Sequence, residues 1–77
     1  MTNTKLLLEW IDRSGYKRSY IAAQLGISTF GLQRKIENAS EFKPSEINAL
    51  CKLLKITALR EKERIFFAEK VENKATF

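Results

Sequence analysis

Four side chains near the middle of this chain, Thr29, Phe30, Gln33 and Arg34, have types and spacing suited to reading another molecule rather than transforming one. The Gln amide carries a donor and an acceptor side by side and can pair with adenine. The Arg fork can pair with guanine or hold a phosphate. The phenyl ring can lie against a thymine methyl group, or pack on Ile27 or the neighbouring helix. Parts for covalent chemistry are missing. The chain has no His and one Cys, and its three glycines stand apart at positions 15, 26 and 31. That leaves no zinc set and no phosphate-cradling loop. Glu9 and Asp12 read as solvated carboxylates. Neither an enzyme nor a bound metal or cofactor is expected, and no small-molecule ligand is evident.

The residues from Arg18 to Asn38, RSYIAAQLGISTFGLQRKIEN, must position those side chains. They read as two short helices joined by a tight turn at Gly26. Ile21, Ala22, Leu25, Ile27, Leu32 and Ile36 can face one core, which turns Thr29, Phe30, Gln33 and Arg34 outward. A non-glycine residue in a left-handed conformation costs roughly 1–2 kcal/mol, so glycine suits the turn. Ser28 can cap the second helix of the pair. Gly31 inside that helix is a cost of roughly 1 kcal/mol against Ala.

Charge marks the same stretch. Lys and Arg number 14 against 9 Asp and Glu, for a net +5. Residues 13–36 hold Arg13, Lys17, Arg18, Arg34 and Lys35 with no acid, so this segment alone matches the whole excess. A local positive field attracts a polyanion and speeds its capture. Arg18 opens a helix where its side chain and nearby N–H groups can meet a phosphate. Lys17, Ser19, Tyr20, Ser28, Lys35 and the loop residue Lys43 are further candidates for contacts to a nucleic-acid backbone.

The remaining segments read as support. A first helix begins after a cap in Thr2-Asn3-Thr4 and runs to about Arg13, with Leu7, Leu8 and Ile11 sharing one face. Gly15 ends it, and Tyr16 plugs the gap before the next helix. Asn38 can take the left-handed conformation that ends the helix of the reading side chains. Phe42 is a loop anchor. Pro44 fits the first position of a fourth helix with the stripe Ile47, Leu50, Cys51 and Leu54. Ile56 is a second anchor, and Thr57 caps a fifth helix from Ala58. The end of the chain, ERIFFAEKVENKATF, supports two readings: a helix, or a strand from Ile65 to Val71. Residues 65–77 are a dimerisation candidate, with Ile65, Phe66, Phe67 and Val71 as contacts.

Seventy-seven residues make one domain, all α, a compact five-helix bundle around a central helix-turn-helix. A chain this short buries only roughly 60–65% of its unfolded surface, so stability is modest and help from dimerisation is natural. The single Cys51 excludes an intramolecular disulfide. No apolar run approaches the ~18–20 residues that cross a bilayer. A soluble, intracellular protein is expected.

RSYIAAQLGIS, then TFGLQRKIEN and FKPSEINALCKLLKI, resembles the Cro and repressor-type (XRE-like) helix-turn-helix proteins of bacteria and their phages. FKPSEINALCKLL and IFFAEKVE are similar to small phage-encoded members from Gram-positive hosts. The resemblance covers roughly residues 5 to 71. It implies a lambda-repressor-like fold, cytoplasmic work on double-stranded DNA in a bacterial host, and a homodimer on a palindromic operator. The family's base-reading positions fall on Thr29, Phe30, Gln33 and Arg34. The chain departs from the family with Asn38-Ala39 where glycine often follows the recognition helix, and with Phe30 where a polar residue is common. Two other readings stand beside a Cro-like repressor: a protein-interaction module of the anti-repressor or antitoxin kind, and a non-specific DNA binder.

Overall fold

The computed structural model describes residues 1–68. Among them the chain forms five helices and no strand: α1 Thr4–Ser14, α2 Arg18–Leu25, α3 Thr29–Ile36, α4 Pro44–Leu54 and α5 Leu59–Phe66. Each boundary has a local cause. The Asn3 side chain accepts a hydrogen bond from the Leu6 N–H and caps α1, and Gly15 ends it at φ 75°. Gly26 closes α2 at φ 74°. The Ser28 hydroxyl accepts from the Gly31 N–H at 2.9 Å and starts α3. Pro44 occupies the first turn of α4, where the Glu46 carboxylate accepts from the Lys43 N–H at 2.9 Å. Helix α5 starts one residue later than the sequence pattern indicates. Ala58 sits at its cap position, and the Thr57 hydroxyl makes no cap bond.

The core joins all five helices. Leu7, Ile21, Leu32, Ile36, Leu50, Ile56 and Ile65 are almost completely withdrawn from solvent. Helix α2 packs on α3 and α4, and α1 touches α3, α4 and α5. Ala22, 1% exposed, lies in this packed region, where its short side chain suits close helix approach.

Two connections come from polar groups. Asn38, at φ 65°, ends α3 in the left-handed region, and its amide then pairs with the peptide of Thr2. Its Oδ1 accepts from the Thr2 N–H and its Nδ2 donates to the Thr2 carbonyl, both at 2.8 Å. The Thr4 hydroxyl donates to the Ile36 carbonyl at 2.6 Å. The start of the chain is thereby tied to the end of α3. It is also tied to α5, because the Asn3 N–H donates to the Ile65 carbonyl. Lys55 ends α4 at φ 62°, a left-handed residue that is neither Gly nor Asn.

The C-terminal expectations need correction. Ile65 and Phe66 belong to α5, so no strand begins at Ile65. Both are core residues, 0% and 4% exposed, with the Phe66 ring edge-on to Phe42 at 5.8 Å between centroids. Their apolar surface is used inside the core. Phe67 is 62% exposed, and Val71 lies outside the described residues. Tyr16 does not plug a gap: it is exposed and leans on Tyr20, with ring centroids 5.1 Å apart. No helix among the described residues is long and apolar enough to cross a membrane.

Placing Ile65 in the core has a measurable consequence. Ile65→Val removes one buried methyl group and lowers unfolding stability by about 0.5–1.5 kcal/mol. Urea melts at several protein concentrations should show the same loss at each. A loss that appears only where the chain self-associates would put Ile65 at an interface instead.

Candidate nucleic-acid interface

Helix α3 is eight residues long, and Leu32 and Ile36 bury its inner stripe completely. Successive side chains turn by about 100°, so positions 30 and 34 lie opposite that stripe, while 29 and 33, three before Leu32 and Ile36, flank it. Three of the four side chains are exposed, and Arg34 Nη2 also donates to the Ala39 carbonyl at 3.4 Å. Thr29 and Arg34 are exposed, and Phe30 is 72% exposed. With that exposure the ring does not pack down on Ile27 or a neighbouring helix. The Arg34 guanidinium leans toward the Phe30 ring, 5.9 Å from its centroid.

Gln33 differs from the sequence picture. It is half-buried and its amide is engaged at both ends. Arg18 Nη1 donates to Gln33 Oε1 at 2.6 Å, and Gln33 Nε2 donates to Glu37 Oε2 at 2.7 Å. Arg18, the first residue of α2, thus reaches across the turn to the middle of α3. Glu37 is a member of this face that the residue pattern did not single out. The signal was available, since Gln33 and Glu37 stand at i, i+4 on one helix.

The backbone-contact candidates divide. Lys17, Arg18, Ser19 and Tyr20 cluster at the start of α2, and all are exposed. Lys17 precedes α2 without a side-chain cap bond, which leaves the first N–H groups of that helix without one. Ser28 is exposed and its oxygen serves the Gly31 N–H. A Cβ at Gly31 would sit 3.1 Å from that oxygen, so glycine keeps room for the cap. Lys43 is exposed in the loop before α4.

Lys35 corrects the expectation. Its ammonium is paired with Glu46 on α4, and both side chains are largely buried, 12% and 8% exposed. A cation held in this way is closed to a phosphate on the open face. The pair instead ties α3 to α4. Burial pushes the Glu46 carboxyl up in pKa. The bond from Lys35, the bond from the Lys43 N–H and the charges of both lysines outweigh that push and hold it below its ordinary 4.5.

Elsewhere the chemistry is muted. Cys51 is 3% exposed, and burial raises its thiol pKa against a weaker pull from Lys62, as suits a packing residue. Arg13 lies over the Trp10 ring at 4.6 Å from its centroid.

Comparison with protein-family models, with curated proteins and with solved structures gives no match to this chain.

The Lys35–Glu46 pair fixes one pH dependence. A carboxyl whose pKa is lowered by folding contributes stability above its unfolded value, and that contribution is lost as pH falls through the folded value. The stability advantage of the parent over Glu46→Gln, read from urea melts, should therefore be constant near neutrality and shrink below pH 4.5. An advantage unchanged through the acid range would contradict the pairing.

Proposed function

We propose that this chain is a sequence-specific double-stranded DNA-binding protein, a Cro-like transcriptional repressor and not an enzyme. It acts in the cytoplasm of a bacterial host and sits as a homodimer on a palindromic operator. One observation carries the reading. The outer face of α3 is open and bears Thr29, Phe30, Gln33 and Arg34, with Lys17 and Arg18 beside it at the start of α2. The N-terminal half of such a helix enters the major groove, while the preceding helix meets the backbone.

Each part then has a task. Gln33 pairs with adenine and Arg34 with guanine or a phosphate. Phe30 lies against a thymine methyl group. Arg18, Lys17, Ser19 and the first N–H groups of α2 hold a phosphate, and the Tyr20 hydroxyl, Ser28 and Lys43 add contacts along the strand. Lys35 is left out because Glu46 holds it. Two copies place their α3 helices about 34 Å apart, in successive major grooves. Resemblance to the Cro and repressor-type proteins supports the same reading.

The exposed apolar residues Leu59, at 70%, and Phe67, at 62%, favour a protein contact. In the present reading Phe67 contributes to the dimer. The rival reading makes this end of the chain the site for a different protein, as in an anti-repressor or antitoxin.

Selection of duplexes from a random pool should enrich one palindrome. Affinity for it, followed by fluorescence anisotropy, should fall steeply with salt as bound counterions are released. Gln33→Ala and Arg34→Ala should each weaken binding by roughly fivefold or more. A flat salt response, or variants that bind as the parent does, would contradict the proposal. Phe67→Ser should loosen the dimer and weaken operator binding together. Intact operator binding with loss of another protein partner would favour the rival.

A further inference from the structure

The two bonds on Gln33 do more than stitch α2 to α3. A guanidinium has only donors and a carboxylate only acceptors. With Arg18 against Oε1 and Glu37 against Nε2, the amide has one satisfied orientation. Turning it by half a revolution would set donor against donor and acceptor against acceptor. It would also forfeit two hydrogen bonds to charged groups, the stronger kind.

We infer that Arg18 and Glu37 are positioning residues that clamp the Gln33 amide in a single orientation and so make it selective for adenine. The inference rests on the DNA-reading function proposed above and supplies the origin of its specificity at one base pair. In the clamp, Oε1 keeps one lone pair and Nε2 keeps one hydrogen. Adenine presents N7 as an acceptor and N6 as a donor at its major-groove edge. The spare donor and the spare acceptor on Gln33 match that pair. A glutamine free to turn presents either end at one spot. It can donate to guanine O6 or thymine O4, or accept from cytosine N4, and it discriminates poorly. The clamp removes that freedom before DNA arrives, and it also lowers the side-chain entropy lost on binding.

Glu37 brings a second effect. Its carboxylate stands on the face that meets phosphates, so it weakens attraction to every duplex alike. Glu37→Gln therefore has a two-part signature. The new amide can either donate or accept, so Arg18 alone then dictates which way Gln33 faces, and the negative charge is gone. The variant should bind all duplexes more tightly and discriminate somewhat less, with discrimination lost when Arg18 is replaced as well. A merely structural tie would lower thermal stability and affinity and leave base preference unchanged.

The test is base-preference profiling of the full chain on duplexes selected from a random pool. The base pair read by Gln33 is the one whose preference Gln33→Ala erases. At that pair, the double variant Arg18→Gln/Glu37→Gln should reduce the preference for adenine by roughly fivefold or more, while preferences at other pairs serve as the internal reference. Either single variant leaves one partner of fixed polarity in place and should reduce the preference less, with Arg18→Gln lowering overall affinity and Glu37→Gln raising it. Full retention of the adenine preference in the double variant would overturn the clamp and leave DNA reading intact. Failure of the parent chain to enrich any sequence would overturn the DNA reading itself, and the clamp with it.

Discussion

A helix of eight residues is not stable alone in water, because nucleation is costly and few bonds follow it. Helix α3 exists because Leu32 and Ile36 are fully buried in the shared core. That burial also fixes its rotation about its own axis. Once the inner stripe is set, Phe30 and Arg34 have no direction left but outward, and Thr29 is exposed at the start of the helix. The same contact that folds the helix aims it.

Polar ties hold the helix in the other directions. Ser28 begins it, and Asn38 ends it by pairing with the Thr2 peptide. Lys35 and Glu46 join it to α4, and Arg18 joins it to α2 through Gln33. Breaking one partner of the buried Lys35–Glu46 pair would leave a charge without its counter-ion away from water. A short helix held on several sides presents its outer side chains with little motion to lose on binding, which is what a reading surface requires. The cost appears in the charge balance. One of the five cations of residues 13–36 is used internally, which leaves the positive field of this face to Lys17, Arg18 and Arg34, with Arg13 placed over Trp10.

Much of the architecture was legible in the residue order because its causes are local. Gly15, Gly26, Ser28 and Pro44 mark boundaries by their own stereochemistry, and Leu32 with Ile36 shows the inner face by spacing. What escaped was non-local or ambiguous in kind. Lys35 and Glu46 are 11 residues apart and meet only because α3 and α4 pack. The Asn38–Thr2 pairing spans 36 residues, and no spacing rule announces it. Ile65 and Phe66 have the composition of a dimer interface and of a core alike, and the structure buries both, with Phe66 edge-on to Phe42. At the candidate site, the outward direction of Phe30 and Arg34 was readable from periodicity, whereas Gln33 is half-buried. The engagement of Gln33 by Glu37 was local and readable, whereas its engagement by Arg18 required the turn to fold.

The central claim is that the outer face of α3, with the start of α2, is the surface that receives duplex DNA. Residue-resolved chemical-shift mapping of the ¹⁵N-labelled chain, titrated with its selected duplex, tests this most directly. The account predicts shifts concentrated at residues 17–20 and 28–34, with the amides of α5 left in place. Shifts confined to α5 and Phe67, or none at saturating duplex, would contradict it.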